Sequence, residues 1–196
     1  GTQIRVGGDW FIADNTIINS DVTITVGGDM IKQNLASVLH VGGSINQLRV
    51  AGEASVDMVV DGGANQVFFG SLGGSVITFG HHVNQFTVQG EMFNSLVQVG
   101  ISAGDDNIFA AAAGEEDANE TSRIAHLQQL VVGTMTDSII AAGGTITRVA
   151  TGTMENSSIA AGLSVGSHAI RAVQNDVTRL ANVAEQNAAR SGDDRV

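Results

Sequence analysis

The chain has 196 residues, of which 43% are hydrophobic and only 15% are charged, so it is long and apolar enough to bury one substantial core. Its formal net charge of −11 argues against nucleic acid or an anionic membrane as a partner, because both attract positive charge. The absence of cysteine excludes disulfides and thiolate chemistry, while 25 glycines without any proline or tyrosine suggest a repetitive backbone rather than an aromatic-lined pocket.

Repeats of alternating apolar residues begin at the N-terminus. The segment from Ile4 to Trp10 matches the segment from Ile24 to Met30 at a spacing of 20 residues. A related unit, apolar-Asn-Gln-apolar, then recurs every 19 residues, with its asparagines at Asn46, Asn65 and Asn84. A period of two indicates β-strands. Because the chain begins inside such a unit, its first strand is predicted to be open for pairing with preceding repeats or with a neighbouring molecule.

A second unit dominates the later part of the chain. The segment from Gly133 to Gly143 recurs from Gly152 to Gly162, and the same frame fits segments that begin at Gly70 and Gly90. If equivalent residues stack, the sequence predicts two core columns, which are Ile77, Val97, Ile140 and Ile159, and Phe79, Val99, Ala142 and Ala161. A third predicted column is polar and consists of Ser75, Ser95, Ser138 and Ser157, whose hydroxyls can bond to the next coil.

Each serine is preceded by a residue suited to a corner. Asn94, Asp137 and Asn156 occupy this position, and asparagine tolerates the left-handed backbone conformation that a tight corner requires. These residues are therefore interpreted as structural.

The repeats predict an all-β fold, a parallel β-helix or β-solenoid. Units of 19 to 20 residues with two or three strands leave no room for helical crossovers, and the missing prolines suit uninterrupted strand ladders. The predicted organisation is a right-handed solenoid domain over residues 1–166, with about eight coils and an acidic insertion at about residues 101–128. An amphipathic helix over residues 167–190 and a frayed tail over residues 191–196 follow.

The predicted C-terminal helix carries one apolar stripe, formed by Ile170, Val173, Val177, Leu180 and Ala184. Such a helix can cover the open end of a solenoid, or it can pair with another chain as a coiled coil. Just over two heptads is short for a coiled coil, so capping is the preferred interpretation.

The insertion contains the one candidate for a metal site. Asp105, Asp106 and Asn107 resemble half of a calcium-binding nonapeptide, because carboxylate and amide oxygens are ligands that calcium prefers. Only one such match occurs, whereas those sites need stacked copies, so a solvated acidic loop is the preferred interpretation and no cofactor is expected.

Catalytic motifs are weak, and the sequence predicts no enzyme and no catalytic residues. Gly162 to Gly166 matches G-x-S-x-G, but only His168 follows and the alternating strands and helices of a hydrolase are missing. Asp57, Asp61 and Glu91 are candidates for carbohydrate chemistry, yet no column of acids links them. His81 and His82 are adjacent, and adjacent residues on a strand point to opposite faces, so a metal shared by these two histidines is not predicted.

The unit G-x-M-x-N-S-x-I-x-A-G, together with G-x-I-x-x-L-x-V-x-G at Gly43 to Gly52, resembles the β-strand repeat arrays of large secreted and cell-surface bacterial proteins, including adhesin-like ones. The resemblance implies an extracellular, non-catalytic scaffold or adhesive module, although no signal peptide is visible. Implied partners are neighbouring repeats or identical subunits and surface glycans, without nucleic acid or membrane insertion. Two alternatives are a self-assembling filament or oligomer subunit and a polysaccharide-binding or polysaccharide-degrading β-helix protein.

Overall fold

A computed structural model describes residues 1–13, 16–103, 120–122 and 124–163. These residues form a β-solenoid of about seven turns, with parallel strands stacked from turn to turn. The described residues contain strands and no helix, which confirms the predicted all-β class. The handedness of the coil stays a prediction.

The first two turns contain three short strands each. These strands are β1 (Thr2–Val6), β2 (Trp10–Ile12), β3 (Thr16–Ile18), β4 (Val22–Val26), β5 (Met30–Lys32) and β6 (Val38–Val41). The later turns contain one long strand followed by one short strand. They comprise β7 (Ile45–Ser55), β8 (Asp57–Val60), β9 (Ala64–Gly73), β10 (Val76–Phe79), β11 (Val83–Phe93), β12 (Leu96–Val99), β15 (Leu127–Thr136), β16 (Ile139–Ala142), β17 (Ile146–Glu155) and β18 (Ser158–Ala161). Between turns 5 and 6, β13 (Ile101–Ala103) and β14 (Glu120–Ser122) form an antiparallel pair.

Each turn presents three runs of strand. The first run comprises β1, β4 and the beginning of each long strand, and the second comprises β2, β5 and the end of each long strand. The third run comprises the remaining short parallel strands, β3, β6, β8, β10, β12, β16 and β18. Shifts of register within three of the long-strand pairings, such as the one between Val50 and Glu53, mark the boundary between the first and second runs.

Successive turns pair at the spacing that the repeats predict. Ile4 lies opposite Ile24 at 20 residues, whereas Gln47 lies opposite Gln66 at 19. The second turn is longer, because Val22 pairs with the residue 23 positions later. This longer turn and the excursion between turns 5 and 6 use chain that would otherwise form a further coil, which is why about seven turns form rather than eight.

The strand pairing confirms the predicted core columns through turns 4 to 6, whereas in turn 7 Ile159 is only half-buried and Ala161 is exposed. Ile77 pairs with Val97, which pairs with Ile140, and this column is fully buried through these three turns. Larger side chains fill the middle of the solenoid, where Phe86 makes edge contacts with Phe69 and Phe79 at ring-centroid distances of 5.9 and 6.4 Å. Burying each such side chain stabilises the fold by roughly 1.5–3 kcal/mol, so the stacked interior is the main source of stability.

The serine column is confirmed at the corner between the second and third runs. The hydroxyl of Ser95 accepts the backbone N–H of Ser75 at 3.3 Å, and that of Ser138 accepts the N–H of Ser95 at 3.2 Å. Each hydroxyl also donates to the carbonyl two residues earlier in its own turn, as Ser95 does to Phe93 at 2.8 Å. The serines therefore satisfy buried backbone groups across turns, as the sequence predicts.

The corner residues before these serines adopt the left-handed conformation. Asn94, Asp137 and Asn156 have φ of 45°, 47° and 47°, and Gly74 has 57° at the same position of turn 4. The interpretation of these residues as corner-formers is confirmed.

Several predicted features lie outside the described residues. These are the amphipathic helix over residues 167–190, the tail over residues 191–196 and the acidic cluster of Asp105, Asp106 and Asn107. In turn 7, Val149 and Met154 occupy inward-facing positions, and their exposed fractions are 49% and 40%. The interior at this end of the described stack is therefore open to solvent.

Candidate functional site: an amide-lined face

The acidic residues considered for carbohydrate chemistry lie apart and have structural partners. Asp57 binds the ammonium group of Lys32 at 2.9 Å and also accepts the backbone N–H of Val76 at 2.9 Å. Asp61 lies 2.9 Å from His40 in the third run, and Glu91 accepts the hydroxyl of Thr136 at 3.1 Å in the second. The described residues thus bring no two of these three acids together around one bond.

Histidines at the start of the first run form a turn-to-turn stack. The rings of His82 and His126 are nearly parallel, with centroids 5.0 Å apart. Each Nδ1 accepts a backbone N–H from the following turn, that of His126 and that of Thr145, at 2.9 Å in both cases. These nitrogens are therefore occupied by backbone groups. The described part of the chain contains no group of three or more His, Asp or Glu side chains placed to hold a metal ion.

The most distinctive surface is the outer side of the first run in turns 3 to 7. It consists of three columns of side chains, which we call the amide face: Asn46, Asn65, Asn84, Gln128 and Thr147; Gln47, Gln66, Gln85, Gln129 and Arg148; and Arg49, Phe68, Thr87, Val131 and Ala150. Eight of these fifteen side chains are carboxamides. The face is therefore rich in groups that both donate and accept hydrogen bonds.

A stacked β-bulge produces the doubled row of amides. Ile45 pairs with Val22, but Gln47 pairs with Thr23, so Asn46 has no counterpart in turn 2. Buried Ile45 and Leu48 flank the two exposed amides Asn46 and Gln47, where strict alternation would expose only one residue. A bulge re-aims side chains in this way. Because the later turns repeat it, two adjacent polar columns face solvent.

The amides are aligned by contacts between turns. The Nδ2 of Asn84 donates to Oδ1 of Asn65 at 3.0 Å, and the Nε2 of Gln47 donates to Oε1 of Gln66 at 3.4 Å. Such ladders hold planar groups parallel and use only part of each amide's hydrogen-bonding capacity. The remaining donors and acceptors are available to a ligand that lies along the solenoid axis.

Positive charge concentrates on the same side of the molecule. Arg49 belongs to the amide face, where its guanidinium lies 4.3 Å from the ring centroid of Phe68, and Arg148 ends the glutamine column. Arg5 extends the column of Arg49 into turn 1, through Thr25. Within the residues whose side chains are described, the remaining Lys or Arg is Lys32, which is paired with Asp57, and no Asp or Glu occupies these columns. This face is therefore locally basic in a chain whose net charge is −11.

The amide face is concave near turns 5 to 7. A shallow depression of about 430 Å³ lies there, lined in part by Asn84, His126, Gln128, Gln129, Thr147 and Arg148. A smaller and more apolar depression of about 330 Å³ lies on the third run, against Ile17, Val38, His40 and Val59. Only the first combines polar groups with a cation, which makes it the better candidate for recognising a polar ligand.

Sequence reasoning identified the repeating Asn-Gln pairs but did not interpret them as a surface. The signal was present, because two polar residues between apolar ones break the alternation of a strand in three successive turns. Arg49 and Arg148 are far apart in the sequence, and the register places them in neighbouring columns of one face. Ser164 and His168, which belong to the rejected hydrolase motif, lie outside the described residues.

No family model, curated protein or solved structure matches the chain. Within the described ranges, no helix has the length and apolar character needed to cross a membrane. The β-solenoid assignment therefore stands on the geometry of the chain itself, and the resemblance to adhesin-like arrays stands on the repeat motifs alone.

Proposed function

We propose that this chain is a non-catalytic scaffold module of an extracellular or cell-surface protein, which presents an adhesive surface on a rigid rod. The resemblance of its repeats to bacterial adhesin-like arrays motivates the location and the role. The chain's own contribution is a stiff support whose exposed side chains keep fixed positions.

The observation that carries the proposal is the continuity of hydrogen-bonded side-chain columns through the turns. Ser75, Ser95 and Ser138 link four successive turns from within, while Asn65 and Asn84 are linked on the outside. Polar networks that are fully satisfied hold a unique arrangement, because any slip would leave buried groups unpaired. Such a support suits the display of a surface better than it suits the convergent, movable groups of an active site.

The use of the acidic side chains also supports a scaffold. Asp9 accepts the backbone N–H of Asp29 at 2.9 Å, and Asp29 in turn accepts the N–H of Glu53 at 2.8 Å. With Asp57 held by Lys32 and Val76, these carboxylates serve the strand ladder. A general acid or base must instead be free to exchange a proton with substrate.

The test is whether the chain adheres to polysaccharides without degrading them. Beads coated with the chain should be retained under flow on surfaces carrying neutral or acidic polysaccharides, and no reducing sugar should be released. The double variant Gln66→Ala/Gln85→Ala should weaken retention, whereas Gln33→Ala, an exposed amide away from the amide face, should not. Release of sugar in proportion to protein concentration would show an enzyme, and absence of retention on every glycan surface would reject the adhesive role.

A second candidate function is self-assembly, favoured by the two ends of the described stack. Strand β1 pairs with β4 alone, and turn 7 exposes Val149 and Met154, which lie in inward-facing columns. An exposed strand edge next to open apolar columns is a template for another strand. Assembly through such ends would extend the rod in a head-to-tail manner.

Sedimentation velocity over a hundredfold range of concentration tests this candidate. Head-to-tail contact predicts a size that grows with concentration, and Val149→Asp should reduce that growth. The exposed Val59→Asp, on the third run, is the matched control. A single monomeric species at every concentration would reject assembly.

A further inference from the structure

We infer that the amide face binds a linear acidic polysaccharide laid along the solenoid axis. This inference rests on the proposed adhesive function and adds the chemical class of its ligand. It depends on the combination of amide rows, arginines and missing acids on one side of an otherwise acidic molecule.

The spacing of the turns suits a polymer of sugar residues. Stacked strands lie about 4.8 Å apart, and an extended pyranose chain advances by a similar distance per residue. Between Arg49 in turn 3 and Arg148 in turn 7, three turns present only uncharged side chains in the two amide columns. Each amide pairs well with a hydroxyl, since both groups donate and accept hydrogen bonds. A ligand following the columns thus meets one set of hydroxyl-binding groups per turn.

The arginines select acidic sugars among the possible polysaccharides. Arg5 and Arg49 are two turns apart, or roughly 10 Å, and Arg49 and Arg148 are four turns apart, or roughly 19 Å. A guanidinium binds a carboxylate through two parallel hydrogen bonds. At Arg49 the side chain lies over Phe68, so less conformational freedom is lost when a carboxylate binds.

The same features disfavour a nucleic acid. Duplex DNA carries one negative charge per about 1.7 Å of its axis. Three arginines spread over six turn spacings supply far fewer positive charges per unit length. The net charge of −11 would repel so dense an anion. A polymer rich in hydroxyls, with no more than one carboxylate per sugar, has a lower charge density than DNA and matches the face better.

A pair of probes with the same backbone tests the inference. Binding of the full chain to polygalacturonate is compared with binding to its fully methyl-esterified form, which keeps the sugar chain and loses the charge. We expect the dissociation constant to be about tenfold lower for the acidic form, because hydrogen bonds between two charged groups are the stronger ones. Equal affinity for the two forms would overturn the inference.

Variants locate the binding on the amide face. Arg49→Gln and Arg148→Gln should each raise the dissociation constant for polygalacturonate about tenfold and leave that of the methyl ester unchanged. The control variant Gln33→Glu lowers the net charge by one unit, as each arginine variant does, but at a position away from the amide face. It should change the affinity for polygalacturonate by less than about twofold. Thermal melting curves that match the wild type show that each variant is folded.

Each other result has a defined meaning. If Arg148→Gln behaves like Gln33→Glu, or if poly-glutamate or single-stranded DNA competes as well as polygalacturonate, the inference of a sugar-specific face is wrong. If beads are retained on the methyl ester without any preference for the acid, the acidic ligand is rejected while the adhesive function stands. If no glycan is bound, both proposals fail.

Discussion

Ser95 is almost completely buried, and its hydroxyl links two turns by accepting one hydrogen bond and donating another. The same arrangement occurs at Ser157 in turn 7, where the side chain is only half-buried. These two residues make similar hydrogen bonds but differ in solvent exposure. Comparing their alanine variants therefore distinguishes the free-energy cost of losing a hydrogen bond from the cost of leaving a buried group unpaired.

Ser95→Ala should lower the free energy of unfolding by about 1–3 kcal/mol, because the N–H of Ser75 then lacks a partner inside the corner. Ser157→Ala should cost clearly less, since Ser157 is only half-buried and we expect water to replace its hydroxyl as the acceptor for the N–H of Ser138. Urea denaturation followed by circular dichroism measures both values. Equal losses for the two variants would contradict this account of the serine column.

Asn94 provides a test of the corner backbone. Its φ is 45° and its side chain is exposed, so backbone strain dominates the effect of a substitution. Asn94→Ala should cost about 1 kcal/mol of stability, whereas Asn94→Gly should be nearly neutral, as Gly74 already occupies this position in turn 4. Thermal melting of the two variants is the measurement. An alanine variant as stable as the glycine variant would show that the corner relaxes.

At the scale of strands and turns, the tight spacing between coils restricts which residues can occupy the bends. A Cβ added at Gly27 would clash with the backbone carbonyl of Gly7 in the turn before it. At Gly7, by contrast, an added Cβ meets nothing within 4 Å among the described residues. The requirement for glycine is thus set by the neighbouring turn, and neither position needs a left-handed conformation.

Gly27→Ala should therefore destabilise the protein by about 1–3 kcal/mol, because the two turns must move apart and strain the strand ladder between β1 and β4. Gly7→Ala should change stability by no more than about 0.5 kcal/mol. Chemical denaturation of the pair gives the comparison. The prediction fails if both alanines are tolerated equally.

The stacking of equivalent residues could be predicted from the sequence, because each column repeats one residue type at one spacing. Ser95 and Ser138 illustrate this even across the excursion, since their 43-residue separation still places them in adjacent turns. The polar pair Asn46 and Gln47 breaks the alternation in the sequence, but only the strand pairing shows that Asn46 lacks a partner in the preceding turn. The amide face could not be predicted from the sequence, because it depends on this strand register and because no single residue in it belongs to a known motif.

At the scale of the whole molecule, the negative charge is distributed unevenly. The described corners carry Asp9, Asp21 and Asp29, each of which accepts a backbone N–H from the following turn. The amide face carries the arginines and no acid. The described side chains include nine acidic and four basic residues, so part of the net charge of −11 produces repulsion within the solenoid, which dissolved salt can screen.

Raising the sodium chloride concentration at neutral pH should increase the melting temperature by a few degrees, because screening weakens this repulsion. Calcium and magnesium chloride at matched ionic strength should have equal effects, and a chelator should have none. Differential scanning calorimetry in the three salts is the measurement. A rise specific to calcium would instead indicate a site, for which Asp105, Asp106 and Asn107 would be the first residues to test.

The parallel strands lie across the axis of the solenoid, so the direction of an applied load decides how it fails. Tension along the axis separates one turn from the next and releases 19 or 20 residues at a time, roughly 65 Å of extended chain. A pull across the axis, parallel to the strands, loads many backbone hydrogen bonds together in shear. A ligand bound to the side of the solenoid and pulled across the axis would therefore stay attached to folded protein at forces that unfold the same molecule when it is pulled along the axis from one end.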